Sequence, residues 1–234
     1  MKNATQVIID RSIPRNFLCY VPKRDEYILD LCKGKKVLHI GASDWPYTEQ
    51  QLERGNLLYA RIGEVASRQL GLDFDREASE FLNSKKIPNS EIIVADMNEL
   101  QDLDFQPDVI VFGETMEHLM NLEVALSNMK RVMGDSTKLI ISVPNAFHFI
   151  NFVYAFFRRE HQHPDHSVAF TYKTLTQLLG KNKLTVVDFR FTFLNSSSRL
   201  QHLNWKGKIM YFVERVIVRI SPLFAETLLV VAEK

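Results

Sequence analysis

Two carboxylates and an imidazole stand close together at Glu114-Thr115-Met116-Glu117-His118. On a helical turn, positions i, i+3 and i+4 share a face, so Glu114, Glu117 and His118 would converge. Such a set can hold a divalent ion, with Mg, Mn or Zn chosen by geometry. Without an ion, a histidine near its ordinary pKa of about 6.5 can take a proton from a reacting group. A second source of imidazole follows at His161-Gln162-His163-Pro164-Asp165-His166. His118 and His166 are therefore the candidate catalytic bases, and whether a metal joins them is left open. His148 and His202 stand apart and read as surface or packing residues.

A second set of acids follows short apolar runs. After residues 37–40 come Gly41-Ala42-Ser43-Asp44; after 69–72 come Asp73, Phe74 and Asp75. The run 91–95 is followed by Asp96 and Met97, 109–112 by Glu114, and 139–143 by Pro144-Asn145. In an open parallel sheet, ligands bind beyond the carboxyl ends of the strands. Successive acids on that rim suit a ligand rich in hydroxyls or carrying positive charge. Each acid has a plainer reading too. Asp73 or Asp75 can cap a helix starting near Arg76, Asp96 can cap a turn before Glu99, and Asp108 can simply begin a strand.

The loop narrows the ligand. Dinucleotide sites want G-x-G-x-x-G, so that backbone approaches a pyrophosphate. Here the window reads Gly41-Ala42-Ser43-Asp44-Trp45-Pro46, lacking both later glycines and adding a negative charge. Asp73 follows Gly41 by 32 residues, against about 20 in the dinucleotide fingerprint. An adenosine with a ribose diol and a sulfonium, and no phosphate, suits these residues better.

The elements that must position them alternate. Apolar runs of strand length, buried on both faces, are separated by helical patterns at about 57–67, 76–85, 122–133 and 173–179. Two β-like runs follow, 185–193 and 227–232, with a helical pattern at Trp205–Ile220 between them. This is the order of an α/β chain. It predicts one Rossmann-like, mostly parallel seven-stranded sheet, helices on both faces, and an insertion after the fifth strand. The whole chain reads as a single domain, residues 1–34 being an N-terminal extension, 145–170 a substrate lid and 195–222 a C-terminal insertion.

Composition agrees. With 234 residues, 46% hydrophobic and 24% charged, the chain is long enough for a real core and excludes disordered, coiled-coil and collagen-like classes. A net charge of +1 argues against a dedicated nucleic-acid binder. Cys19 and Cys32 form no disulfide framework and read as reduced thiols of a cytoplasmic protein. Polar residues interrupt the first turns, so no secretory signal is read there. The longest apolar stretch, 146–157, is too short to span a membrane.

Over residues 35–193 the sequence resembles the class I S-adenosylmethionine-dependent methyltransferases. The likeness rests on Val37 to Asp44 for the first loop, Gly71-Leu72-Asp73-Phe74-Asp75, Val94-Ala95-Asp96-Met97, and residues 108–114. It implies that Gly41 and Ala42 approach the amino-acid end of S-adenosylmethionine, with His39, Asp44, Phe74 and Glu114 around it. Asp73 would accept both ribose hydroxyls, and Asp96 with Met97 would meet the adenine. Two positions depart from the family: His39 where an acid is usual, and Ser43 where a second glycine is usual. Glu114 to His118 with the later histidines resembles the metal-dependent subset, in which a divalent metal clamps hydroxyls and lowers the pKa of the attacking oxygen.

The expected activity is methyl transfer to a small-molecule or glycan acceptor, on oxygen. An RNA 2′-O-methyltransferase with a divalent metal is one alternative; a non-catalytic binding protein on the same fold is the other. Phe147, Phe149, Phe152, Tyr154, Phe156 and Phe157 are expected to form an apolar lid. The amphipathic segment Trp205–Ile220 carries Lys206, Lys208, Arg215 and Arg219 beside its apolar stripe. It is expected to pack on its own sheet, with a weak membrane-surface contact as the other reading.

Overall fold

The computed structural model describes residues 13–97, 103–194 and 203–234; Glu99 and His202 lie outside them. Eight strands form one sheet: β1 (Tyr20–Val21), β2 (Lys36–Ile40), β3 (Arg68–Asp73), β4 (Ser90–Val94), β5 (Val109–Gly113), β6 (Lys138–Pro144), β7 (Thr185–Thr192) and β8 (Thr227–Glu233). Their order is β1-β7-β8-β6-β5-β2-β3-β4. Neighbours pair in parallel except around β8, which runs antiparallel to both β6 and β7. The seven expected strands are all present. The eighth is the two-residue β1, which adds to the β7 edge through Tyr20 opposite Phe191 and Val21 opposite Thr192.

The apolar runs become central strands because each must bury both faces. On β2, β5 and β6, Leu38, Ile110, Phe112, Leu139 and Ile141 enter one core layer. That layer is closed by α5 (Leu122–Val132) and α7 (Tyr172–Lys181), through Leu126, Met129, Leu175 and Leu179. The alternate residues Val37, Val109, Val111 and Ile140 face the other way. There they meet Ile28 and Cys32 of α1 (Arg24–Cys32) and Leu58 and Ile62 of α3 (Leu58–Val65). Truncating a fully buried Leu or Phe in either layer costs about 2–5 kcal/mol. Burial also pushes the Cys32 thiol up to about 12, so it is inert packing; both cysteines are free.

Side chains fix several helix starts. Asp75 caps α4 (Arg76–Ser84), accepting the Ala78 N–H at 2.7 Å. Asn121 caps α5 through the Val124 N–H, and α5 carries Glu123 in its first turn and Lys130 and Arg131 in its last, as the helix dipole favours. Thr171 and Thr174 form a reciprocal capping box on α7. A short α2 (Thr48–Glu53) follows the first loop.

Two helices are less enclosed. In the 145–170 insertion, α6 (Phe149–Phe156) has no buried residue, and Phe147, Phe152, Tyr154, Phe156 and Phe157 are all exposed. The helix α8 (Trp205–Ile220) buries only Glu214 and Val218. The expectation that its apolar stripe packs on the sheet is corrected here: the stripe faces outward. No helix among the described residues is long and apolar enough to cross a membrane.

Candidate functional site

The first loop leaves β2 through Gly41, whose φ of 68° is a conformation that favours glycine. The Gly41 N–H donates to Leu72 O at 2.9 Å, and a Cβ there would collide with the Thr115 hydroxyl. Both facts bring the loop against β3 and β5. Ala42 and Ser43 are buried. The Ser43 N–H donates to Asp73 Oδ2 at 2.8 Å, and the Asp75 N–H to Asp73 Oδ1 at 3.0 Å. The two acids therefore divide the work: Asp75 is the helix cap, and Asp73 ties the loop to the end of β3. Each Asp73 oxygen keeps a lone pair for a further donor. Asp44 (φ 57°) and Phe74 are exposed on the rim. Asp96 is exposed beyond β4, whereas the Met97 side chain lies in the core layer with Leu72 and Leu126. Met97 also accepts the Asn128 Nδ2–H at its carbonyl, at 2.7 Å.

His39 is buried. Its Nδ1 lies 3.4 Å from Gln69 Nε2 and its ring 6.1 Å from that of Tyr59. Burial, reinforced by the Arg24 cation and opposed by Asp25, pushes its pKa down to about 3. It is a neutral imidazole at neutral pH. The charge on this face of β2 comes instead from α1. Arg24 Nε donates to Asp25 Oδ1 at 2.8 Å, and Asp25 Oδ2 lies 2.8 Å from Arg61 Nη1. Arg24 Nη1 reaches 3.4 Å from both Ser142 Oγ and Glu114 Oε1. The sequence reading missed Arg24 and Asp25. Their signal was helical spacing: Arg24, Ile28 and Cys32 recur every fourth residue, and all are buried.

Beyond β5 the backbone turns through Glu114, a non-glycine residue at φ 49°. A short 3-10 turn then covers Met116–His118. The expected convergence of Glu114, Glu117 and His118 on one face is accordingly altered. Glu114 is directed to Arg24, and His166 takes its place in the cluster. The Ser167 N–H donates to Glu117 O at 2.8 Å, which lays the histidine insertion beside the turn. His166 Nε2 lies 3.9 Å from Glu117 Oε1, and the His118 and His166 rings stand edge-on at 4.7 Å. His163 follows at 5.2 Å from His166. His148, by contrast, is buried against Glu214 of α8.

The electrostatics of the two carboxylates differ from those of the imidazoles. Burial pushes Glu114 up to about 7, Arg24 opposing and Glu226 adding. Glu117, only 1% exposed, is pushed up to about 9 by burial and by Glu114. Burial and neighbouring imidazoles lower His166 to about 4, and burial lowers His118 too. Both rings are therefore proton acceptors at neutral pH. One atom each of Glu117, His118 and His166 lie within 4.8 Å of one another. The buried Glu117 Oε2 has no hydrogen-bond partner. An orphaned carboxylate oxygen beside two neutral imidazoles is a donor set that fits a divalent cation.

Comparison with known proteins follows the same lines. A family model described as a methyltransferase domain matches residues 13–188. No curated protein matches the chain at a significant level. Among solved structures, a SAM-dependent methyltransferase from Aquifex aeolicus superposes with a TM-score of 0.57 at 16% identity, covering 94% of this chain and 93% of that one. One from Archaeoglobus fulgidus gives 0.54 at 18%, covering 89% and 90%. The N-methyltransferase NodS from Bradyrhizobium japonicum gives 0.52 at 16%, covering 90% and 94%. Likeness at these identities carries the fold, not the acceptor.

Proposed function

The chain belongs to the class I S-adenosylmethionine-dependent methyltransferases, and from that premise we propose that it methylates an oxygen of a small-molecule or glycan acceptor. The His118–His166 pair beside Glu117, beyond β5, carries the reading. An amine acceptor needs only to arrive neutral, whereas a hydroxyl must lose a proton, and His118 and His166 set two imidazole acceptors side by side, rings 4.7 Å apart, beyond β5.

S-adenosylmethionine supplies a methyl group already activated on its sulfonium, so the protein's task is alignment with water excluded. Gly41 and Ala42 line the methionine end with backbone. Buried Arg24 at the same end offers a cation next to Ser142 and Glu114. Asp73, pre-oriented by the Ser43 and Asp75 amides, accepts from the ribose hydroxyls. Asp96 and the Met97 backbone edge the adenine, with Asp44 and Phe74 at the rim. With no metal bound, one imidazole of the His118–His166 pair receives the acceptor's proton. A divalent metal would be held by Glu117, His118 and His166, and would lower the pKa of an acceptor hydroxyl.

Calorimetric titration with S-adenosylmethionine, with and without EDTA and added divalent metal, tests the reading. Asp73→Ala is expected to weaken binding roughly 10- to 100-fold, the loss of one or two charge-assisted hydrogen bonds. Acceptor screening on the same protein is expected to yield methyl ethers. Unchanged affinity in Asp73→Ala removes the cofactor assignment, and methylated amines remove the oxygen assignment.

A further inference from the structure

The outward face of α8 is an apolar feature that the methyl-transfer site leaves unused. At about 3.6 residues per turn, Trp205, Ile209, Phe212, Val213, Val216 and Ile220 fall within an arc of roughly 100°. All six are exposed, Trp205 and Phe212 at 68% and Ile220 at 80%. The helix does not need this face for the fold. Its opposite side is anchored by Val218 in the core, by Glu214 paired with His148, and by Arg215. Arg215 bonds the Tyr20 hydroxyl and stacks 4.0 Å over Phe193. Among the described residues nothing covers the outward stripe, and surface apolar residues aligned in this way mark a binding face.

Charge selects the occupant. Lys206 borders the stripe on one side and Lys208 and Arg219 on the other, all exposed. The single carboxylate of α8, Glu214, is buried on the far side. The carboxyl end of α6 has the same composition, exposed Phe156 and Phe157 followed by Arg158-Arg159. An apolar stripe edged by cations, on a helix with no capacity to span, matches the division between acyl chains and anionic headgroups.

We propose that the protein docks on an anionic bilayer surface through α8, which lies in the interface with its stripe among the acyl chains and its lysines at the headgroups.

Flotation of the full chain with vesicles of phosphatidylcholine alone, and of phosphatidylcholine mixed with phosphatidylglycerol, tests this. Binding is expected only to the anionic vesicles and to weaken as salt is raised. Lys206→Gln/Lys208→Gln is expected to lose roughly thirtyfold, near fivefold for each cation removed. Trp205→Ser/Phe212→Ser is expected to lose binding while keeping its thermal midpoint and its S-adenosylmethionine affinity. The chain has two tryptophans, so in Trp45→Phe protein the remaining Trp205 emission is expected to shift blue on anionic vesicles. Absence of flotation overturns the proposal. So does binding that both double variants retain. A concentration-dependent dimer abolished by Phe212→Ser, without vesicle binding, would assign the stripe to a second copy of the chain instead.

Discussion

The two halves of the rim are built on opposite terms. On the side of β2 and β3, the loop donates to the Leu72 carbonyl and to both Asp73 oxygens. His39 sits there uncharged beside Gln69. On the side of β5 and the histidine insertion, Glu117 Oε2 is buried without a hydrogen-bond partner. Glu114 is held in a left-handed turn, and its Oε1 meets Arg24 at 3.4 Å without a hydrogen bond. A buried polar group left without a partner costs about 1–3 kcal/mol. Both halves are tied by hydrogen bonds, but among the described residues only the second leaves carboxylate oxygens buried without a hydrogen-bond partner. Left-handed non-glycine residues stand in both halves, Asp44 in one and Glu114 in the other, so the buried unpaired carboxylate oxygens are what set the second half apart.

Breaking each half separately sharpens that contrast. His166→Ala, with His118→Ala as its companion, is expected to lower kcat by about 10²- to 10⁴-fold, the usual worth of a general base. S-adenosylmethionine affinity should stay within a factor of about three. A parallel loss of cofactor affinity would mean that the two halves are not independent. Gly41→Val acts on the other half. A β-branched residue at φ 68° that also collides with Thr115 is expected to destabilise the fold by about 2–5 kcal/mol and to weaken cofactor binding with it. Thermal melts and calorimetry read both; an unchanged melt would show that the loop is looser than its hydrogen bonds imply.

The smallest effect concerns pH. His39 has a folded pKa of about 3 and an unfolded one near 6.5. Between these values the unfolded chain binds the extra proton, so this stability is complete above pH 6.5. It is lost as pH falls toward 3, with a limiting slope of about 1.4 kcal/mol per pH unit. His39→Asn, measured by denaturant titration from pH 7 to 5, should flatten that decline. Glu114, raised to about 7, acts with opposite sign, removing stability as pH rises from about 4.5 to 7; Glu114→Gln separates the two.

How much of this could be read from the sequence depended on the range of the deciding contact. The central strands were legible because burial on both faces writes continuous apolar runs such as Val109 to Phe112. The two-residue β1 is too short to carry a pattern and is set by pairing with Phe191 and Thr192. The helix α1 escaped notice because its deciding residues, Arg24 and Asp25, are charged and became buried through partners far along the chain. Asp73 and Asp75 stand two residues apart, and spacing gave both the same capping reading. A loop amide 30 residues earlier separates their roles. Glu114 illustrates the reverse: its spacing to Glu117 and His118 was right for a helical turn, but a left-handed residue and a 3-10 turn redirected it toward Arg24. The stripe of α8 was recognised as amphipathic, yet its direction could not be inferred, because the helix carries apolar residues on both sides.

The position of β8 has a consequence for how the molecule is made. It is the last strand in chain order, yet it lies between β6 and β7, pairing with residues as distant as Leu139. As the polypeptide emerges from a ribosome, β2 to β6 can assemble while β6 and β7 each present an open hydrogen-bonding edge. Those edges invite pairing with other chains until β8 joins them. Pairings of such long sequence separation are slow to form. Until β8 joins them the sheet stays divided between β6 and β7, and the folding chain is most open to edge pairing in that interval.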